Sequence, residues 1–128
     1  MARQLLRWGA LGMAISISLG ALGAHQLKKI LSSNSFDIFH TGVDYLLYHS
    51  LAILLLAALS QYFSEKVLKR CASLFGLGIL LFSGSLFAIC FFQTKGIDIP
   101  VWLGIMTPVG GLCFIIGWVL VALGVLKK

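Results

Sequence analysis

The stretch Thr41-Gly42-Val43-Asp44-Tyr45-Leu46-Leu47-Tyr48-His49-Ser50, running on through residues 51–59, decides how this chain is read. It is an apolar run with an aspartate near its start and a histidine about a turn and a half further on. On a helix of ~100° per residue, Thr41, Asp44, Tyr45, Tyr48 and His49 share an arc of roughly 140°, while Leu46, Leu47 and Leu54 fall outside it. That is one polar face on an otherwise apolar helix. Ionisable groups among hydrocarbon are costly, so the face is expected to turn toward other helices or a cavity.

The composition sets the medium. Of the 128 residues, 59% are apolar and only 11% are charged, and the mean hydropathy is +1.00. Soluble domains average roughly 25% charged and 45–50% apolar residues. In lipid every backbone polar group must be satisfied within its own element, so the expected fold is all-α, an integral membrane four-helix bundle in a single domain. The net charge of +6 is not a nucleic-acid signature, because Lys and Arg stand singly or in pairs at the ends of apolar runs, as membrane orientation signals do. The same residues suit anionic lipid headgroups. Cys71, Cys90 and Cys113 are odd in number and show no metal or C-x-x-C spacing. They read as small hydrophobes, and no metal or other cofactor is expected.

Four spans are expected, over residues 8–24, 43–63, 71–92 and 101–126. The basic start followed by an apolar run also fits a signal peptide. The run is long for one, however, and no small-residue cleavage site closes it, so a retained helix is expected. Residues 26–31 suit a short interfacial helix and residues 32–35 a turn. Pro108 lies near the start of the fourth span, where the first turn tolerates it best. Gly12, Ser16, Gly20 and Ala24 recur every four residues, and Gly110, Gly117 and Gly124 every seven. Such small-residue stripes let neighbouring helices approach closely. Four spans put both termini on one side, with Arg3, Arg7, Lys66, Lys69, Arg70, Lys127 and Lys128 there and Lys28, Lys29 and Lys95 opposite. The excess of basic residues places both termini of a multi-pass membrane protein in the cytoplasm.

Depth then gathers the polar residues. Counted from Val43, His49 lies roughly 9 Å below the outer edge, with Thr107 at a matching depth and Ser83 about 12 Å down. His25, Asp44, Tyr45, Tyr48, His49, Ser83, Ser85 and Thr107 thus form one cluster in the outer half, with Gln93 at its margin. The leading reading is a hydrogen-bonded network that fixes helix register, with His49 against Ser83, Ser85 or Thr107. A proton or solute pathway is the functional alternative. A metal site is disfavoured because Asp44 and His49 sit on opposite flanks of the face, and no nucleophile–base or zinc motif suggests catalysis.

Leu19-Gly20-Ala21-Leu22-Gly23-Ala24-His25, the Thr41 to His49 stretch, Leu81-Phe82-Ser83-Gly84-Ser85-Leu86, and Thr107-Pro108-Val109-Gly110-Gly111 with Gly117-Trp118 together resemble the bacterial family catalogued as domain of unknown function 423. The resemblance runs along nearly the whole chain. It implies a four-helix inner-membrane protein of unestablished role, with pattern histidines matching His25 and His49. Residues 32–39 match no pattern, so nothing is hung on His40. The expected function is a non-enzymatic structural or helper subunit, in contact with membrane lipids and working as a homo-oligomer or within a larger membrane complex. The alternative is an oligomeric channel or proton-linked small-solute transporter using the His/Asp cluster.

Overall fold

The computed structural model describes residues 1–125. It is an all-α membrane bundle of four helices: α1 (Ala2–Ile30), α2 (Ser33–Ala58), α3 (Glu65–Lys95) and α4 (Val101–Gly124). Each is long and apolar enough to cross a bilayer, and no strand occurs among the described residues. Leu126, Lys127 and Lys128, which entered the expected fourth span and the charge count, lie outside the described residues.

The boundaries follow from local chemistry. Residues 26–30 do not form a separate interfacial helix. A π turn at Gly23–Leu27 carries α1 straight into Lys28–Ile30. The expected turn at residues 32–35 contracts to Leu31 and Ser32, because the Ser32 hydroxyl accepts the Ser35 backbone N–H at 3.2 Å and caps α2. The second helix therefore begins well before residue 43 and carries Asp37 and His40 on regular α-helix. Ser64 caps α3 in the same way, through the Val67 N–H. Gly96, at φ 66°, ends α3, where the Gly96 and Ile97 N–H groups bond back to Gln93 and Phe92. Only glycine adopts that backbone freely. Pro108 is an interior residue of α4, not part of its first turn. Its missing N–H leaves the Gly104 carbonyl without the usual helix bond, a defect that membrane helices tolerate.

The helices pack in chain order, α1 on α2, α2 on α3 and α3 on α4, and aromatic side chains bring α4 back to α2. Small residues make the close approaches. Gly9 abuts Leu54, Gly12 abuts Ser50, and Gly23 abuts the Phe39 ring. The α1 seam thus runs Leu5, Gly9, Gly12, Ser16, Gly23, in steps of four, three, four and seven. Ala24 is exposed, and Gly20 meets only Val43, at an ordinary 3.7 Å. The reason is geometric: a strict four-residue repeat drifts by ~40° at each step, so Gly20 and Ala24 turn off the seam. The seven-residue repeat on α4 drifts less. Gly110 lies against the Phe82 backbone, Gly117 against Phe75, and Gly124 against Val67 and Phe63. Cys71, Cys90 and Cys113 are free and buried.

Candidate functional site

His49 is the centre of the bundle's polar chemistry. It is buried, and its ring stacks on Phe114 at 3.4 Å between centroids and 10° between planes, with Phe75 and Trp118 at its edges. Its Nδ1 lies 2.9 Å from the Tyr45 carbonyl, and the Trp118 indole Nε1–H reaches its Nε2 at 3.3 Å. A carbonyl only accepts and an indole N–H only donates. The geometry therefore assigns the proton to Nδ1 and leaves Nε2 bare. His49 is a neutral imidazole with both nitrogens engaged.

Its partners differ from those the sequence suggested. Ser85 and Thr107 bond to each other at 2.6 Å, and Ser83 is buried with no hydrogen-bond partner among the described residues. The α2 arc is also divided. His49 and Ala52 turn inward, Tyr45 lies at the edge with its ring 4.4 Å from Phe82, and Asp44 and Tyr48 turn outward. Asp44 Oδ2 lies 3.0 Å from His40 Nδ1, one turn away on the same helix. His25 is exposed in the π turn of α1 and, among the described residues, forms no hydrogen bond or ion pair with either of them. Gln93 accepts the Ser35 hydroxyl at 2.8 Å, tying the end of α3 to the start of α2.

Depth is corrected by the α1–α2 register. Gly12 abuts Ser50 and Gly9 abuts Leu54, so His49 stands level with residues 13 and 14 of α1. That is roughly 10 Å along the axis from Arg7 and about 17 Å from His25. Counting from Val43 had put His49 in the half nearer His25, because it missed the turns of α2 that precede residue 43. Asp44, level with Leu19, lies roughly 9 Å inward from His25.

Two hollows flank α2. A cleft of about 560 Å³ lies between α1 and α3, with Gly12, Ser50 and Gly76 among its lining and almost no polar surface. A smaller one of about 280 Å³ opens between α1 and α2 beside Lys28 and His40. Among the described residues, no group of three or more His, Cys, Asp or Glu stands close enough to share a metal ion. The Phe114–Trp118 pair was missed by sequence reasoning. The available signal was two aromatic residues one turn apart flanking Gly117, the residue that brings α4 onto α3.

The family described as "Protein of unknown function (DUF423)" matches residues 19–111. A UPF0382 membrane protein of Haemophilus influenzae is 37% identical over 128 residues, which is 100% of this chain and 98% of the relative. UPF0382 membrane protein YwdK of Bacillus subtilis is 37% identical over 93% of each chain. UPF0382 inner membrane protein YgdD of Escherichia coli is 33% identical over 98% of this chain and 92% of its own length. No solved structure matches. A family match over most of the chain, joined to full-length relatives and four membrane-capable helices, leaves one conclusion: the chain belongs to the DUF423 family and is a four-helix membrane protein akin to the UPF0382 membrane proteins.

Proposed function

We propose that the protein is a non-enzymatic structural or helper subunit of the bacterial inner membrane, with both termini on the cytoplasmic side. The observation that supports this is the state of His49. The most buried titratable group of the polar cluster has both ring nitrogens committed inside the bundle, to the Tyr45 carbonyl and the Trp118 indole. A relay needs a nitrogen free to pass a proton on, whereas register glue needs both engaged. The orientation rests on the excess of Lys and Arg at the N-terminus and in the first turns of α3 over that at the opposite end. A second reading, an oligomeric channel or proton-linked transporter, is favoured by the outward stripe of Asp44 and Tyr48, which only an assembly could enclose.

Flux measurements on the purified full-length chain in proteoliposomes separate the two. The helper reading expects no proton or small-solute flux above that of empty vesicles. Flux from the wild type that His49→Gln or Asp44→Asn abolishes would overturn it.

A further inference from the structure

The outward face of α2 is unusual for a surface that meets lipid. Asp37, Thr41, Asp44, Tyr48, Leu51, Leu55 and Ala58 follow one another in alternating steps of four and three. That spacing is the seam of a helix that packs against another at a shallow left-handed angle. Yet α1 covers the opposite flank of α2 through Val43, Ser50 and Leu54, and α3 and α4 cover the side bearing Gly42 and His49. The seam itself is left open, with Tyr48 53%, Leu51 54% and Leu55 48% exposed.

Its polar half cannot rest against hydrocarbon. Asp44 lies roughly 9 Å inside the level of His25 by the register above, and 37% of its side chain is exposed. One carboxylate oxygen takes His40, and the other has no partner among the described residues. The Tyr48 hydroxyl, one turn deeper, is likewise without a hydrogen bond among the described residues. A carboxylate at that depth is expected to face protein or water, not acyl chains.

We propose that this face is the contact between two copies of the chain, with Asp44 of each accepting a hydrogen bond from the Tyr48 hydroxyl of the other. The face is self-complementary. It carries one free acceptor and one free donor a turn apart, so a two-fold axis along the membrane normal brings each donor to the opposite acceptor. Helical side chains lean toward the N-terminus of their helix, which carries the Tyr48 hydroxyl up toward the level of Asp44. Below them Leu51 and Leu55 continue the seam as an apolar contact. Lipid could cover the leucines but offers the carboxylate no donor, and a foreign helix would need a donor placed at this one level. A second copy has it by construction. The inference does not depend on the helper reading, since a channel and a structural subunit could both be built on this contact.

The test uses the purified full-length chain in nanodiscs. Light scattering is expected to give a protein mass of twice 13.9 kDa. Oxidative cross-linking of Leu51→Cys is expected to give a covalent dimer, whereas Leu112→Cys, equally exposed but on α4, is expected to stay monomeric. The native cysteines are buried, so the unsubstituted chain reports the background. Asp44→Ala and Tyr48→Phe are each expected to weaken association by about tenfold, the scale of one or two hydrogen bonds between membrane helices. Tyr48→Phe keeps its shape, and its unfolding as a monomer should match the wild type, so loss of the dimer cannot be mistaken for misfolding. A chain that stays monomeric at every concentration would overturn the proposal. So would equal cross-linking from Leu51→Cys and Leu112→Cys, or cross-linking of Leu51→Cys only to a different protein in native membranes.

Discussion

Replacing Gly110 by alanine tests whether α3 and α4 are held by backbone contact. An added Cβ would lie 2.8 Å from Phe82 Cβ and 2.9 Å from Phe82 Cα, and nearer still to the Phe82 backbone nitrogen. Ordinary contact begins near 3.4 Å, so the two helices must part by about 1 Å to clear that nitrogen, enough to forfeit up to about half of the dispersion well along the contact. Overpacking costs ~1–3 kcal/mol, and the upper end applies because the atoms struck are backbone and cannot rotate away. Alanine returns about 1 kcal/mol through its better helix propensity. The net expectation is a loss of about 2 kcal/mol, close to a thirtyfold shift in the folded-to-unfolded ratio. Gly76→Ala is the control, since a Cβ there meets nothing within 4 Å and should stabilise by up to about 1 kcal/mol. Unfolding in mixed micelles by SDS titration, followed by tryptophan fluorescence, reads both. Gly110→Ala as stable as Gly76→Ala would refute the reasoning. The same logic ranks Gly117→Ala as milder, because its Cβ meets the Phe75 ring and the Leu74 side chain, which can give.

Two other experiments probe the polar centre. His49→Ala removes a stacked, buried ring and leaves the Trp118 indole without its acceptor, so a loss of ~3–5 kcal/mol and a shifted Trp118 emission are expected, while His49→Gln should retain more of both; unchanged Trp118 emission would show that the indole does not bond to His49. A double-mutant cycle of Ser85→Ala with Thr107→Val should return a coupling of about 0.6 kcal/mol and at most about 1.7, and zero coupling would mean the 2.6 Å contact contributes nothing to stability.

The four helices could be read from hydropathy because lipid forbids any other way of satisfying backbone groups. Their ends could not, because they depend on single side-chain oxygens. Ser32 accepting the Ser35 N–H starts α2 ten residues before Val43, and that shift alone moved His49 from one half of the bundle to the other. The wheel placed Asp44, Tyr48 and His49 on one arc correctly, but a wheel does not reveal where neighbours stand. The boundary between covered and open surface cuts through the arc between Tyr48 and His49. The partners of His49 were illegible for a different reason: they are aromatic. A search for hydroxyls at matching depth passes over an indole that donates from the edge of α4. The stripe on α1 is visible as small residues, yet its phase is not, because Gly9 and Gly23 lie on the true seam and neither belongs to the four-residue repeat.

The π turn at Ile79–Ser83 has a consequence for the length of the gene. On α3 the buried positions are Leu68, Cys71, Phe75 and Gly78, then Ser83, Ser85 and Cys90. The turn closes on a step of five, from Gly78 to Ser83, and a π turn carries one residue more than the α turn it replaces. A single-codon deletion at Leu80, whose side chain is exposed, would convert the turn to ordinary helix and leave both flanking faces in phase. The same deletion two turns earlier would rotate everything after it by about 100° and swing Ser83, Ser85 and Cys90 away from their neighbours. α3 therefore carries a residue it can lose, and this is where relatives of unequal length are expected to differ within a helix.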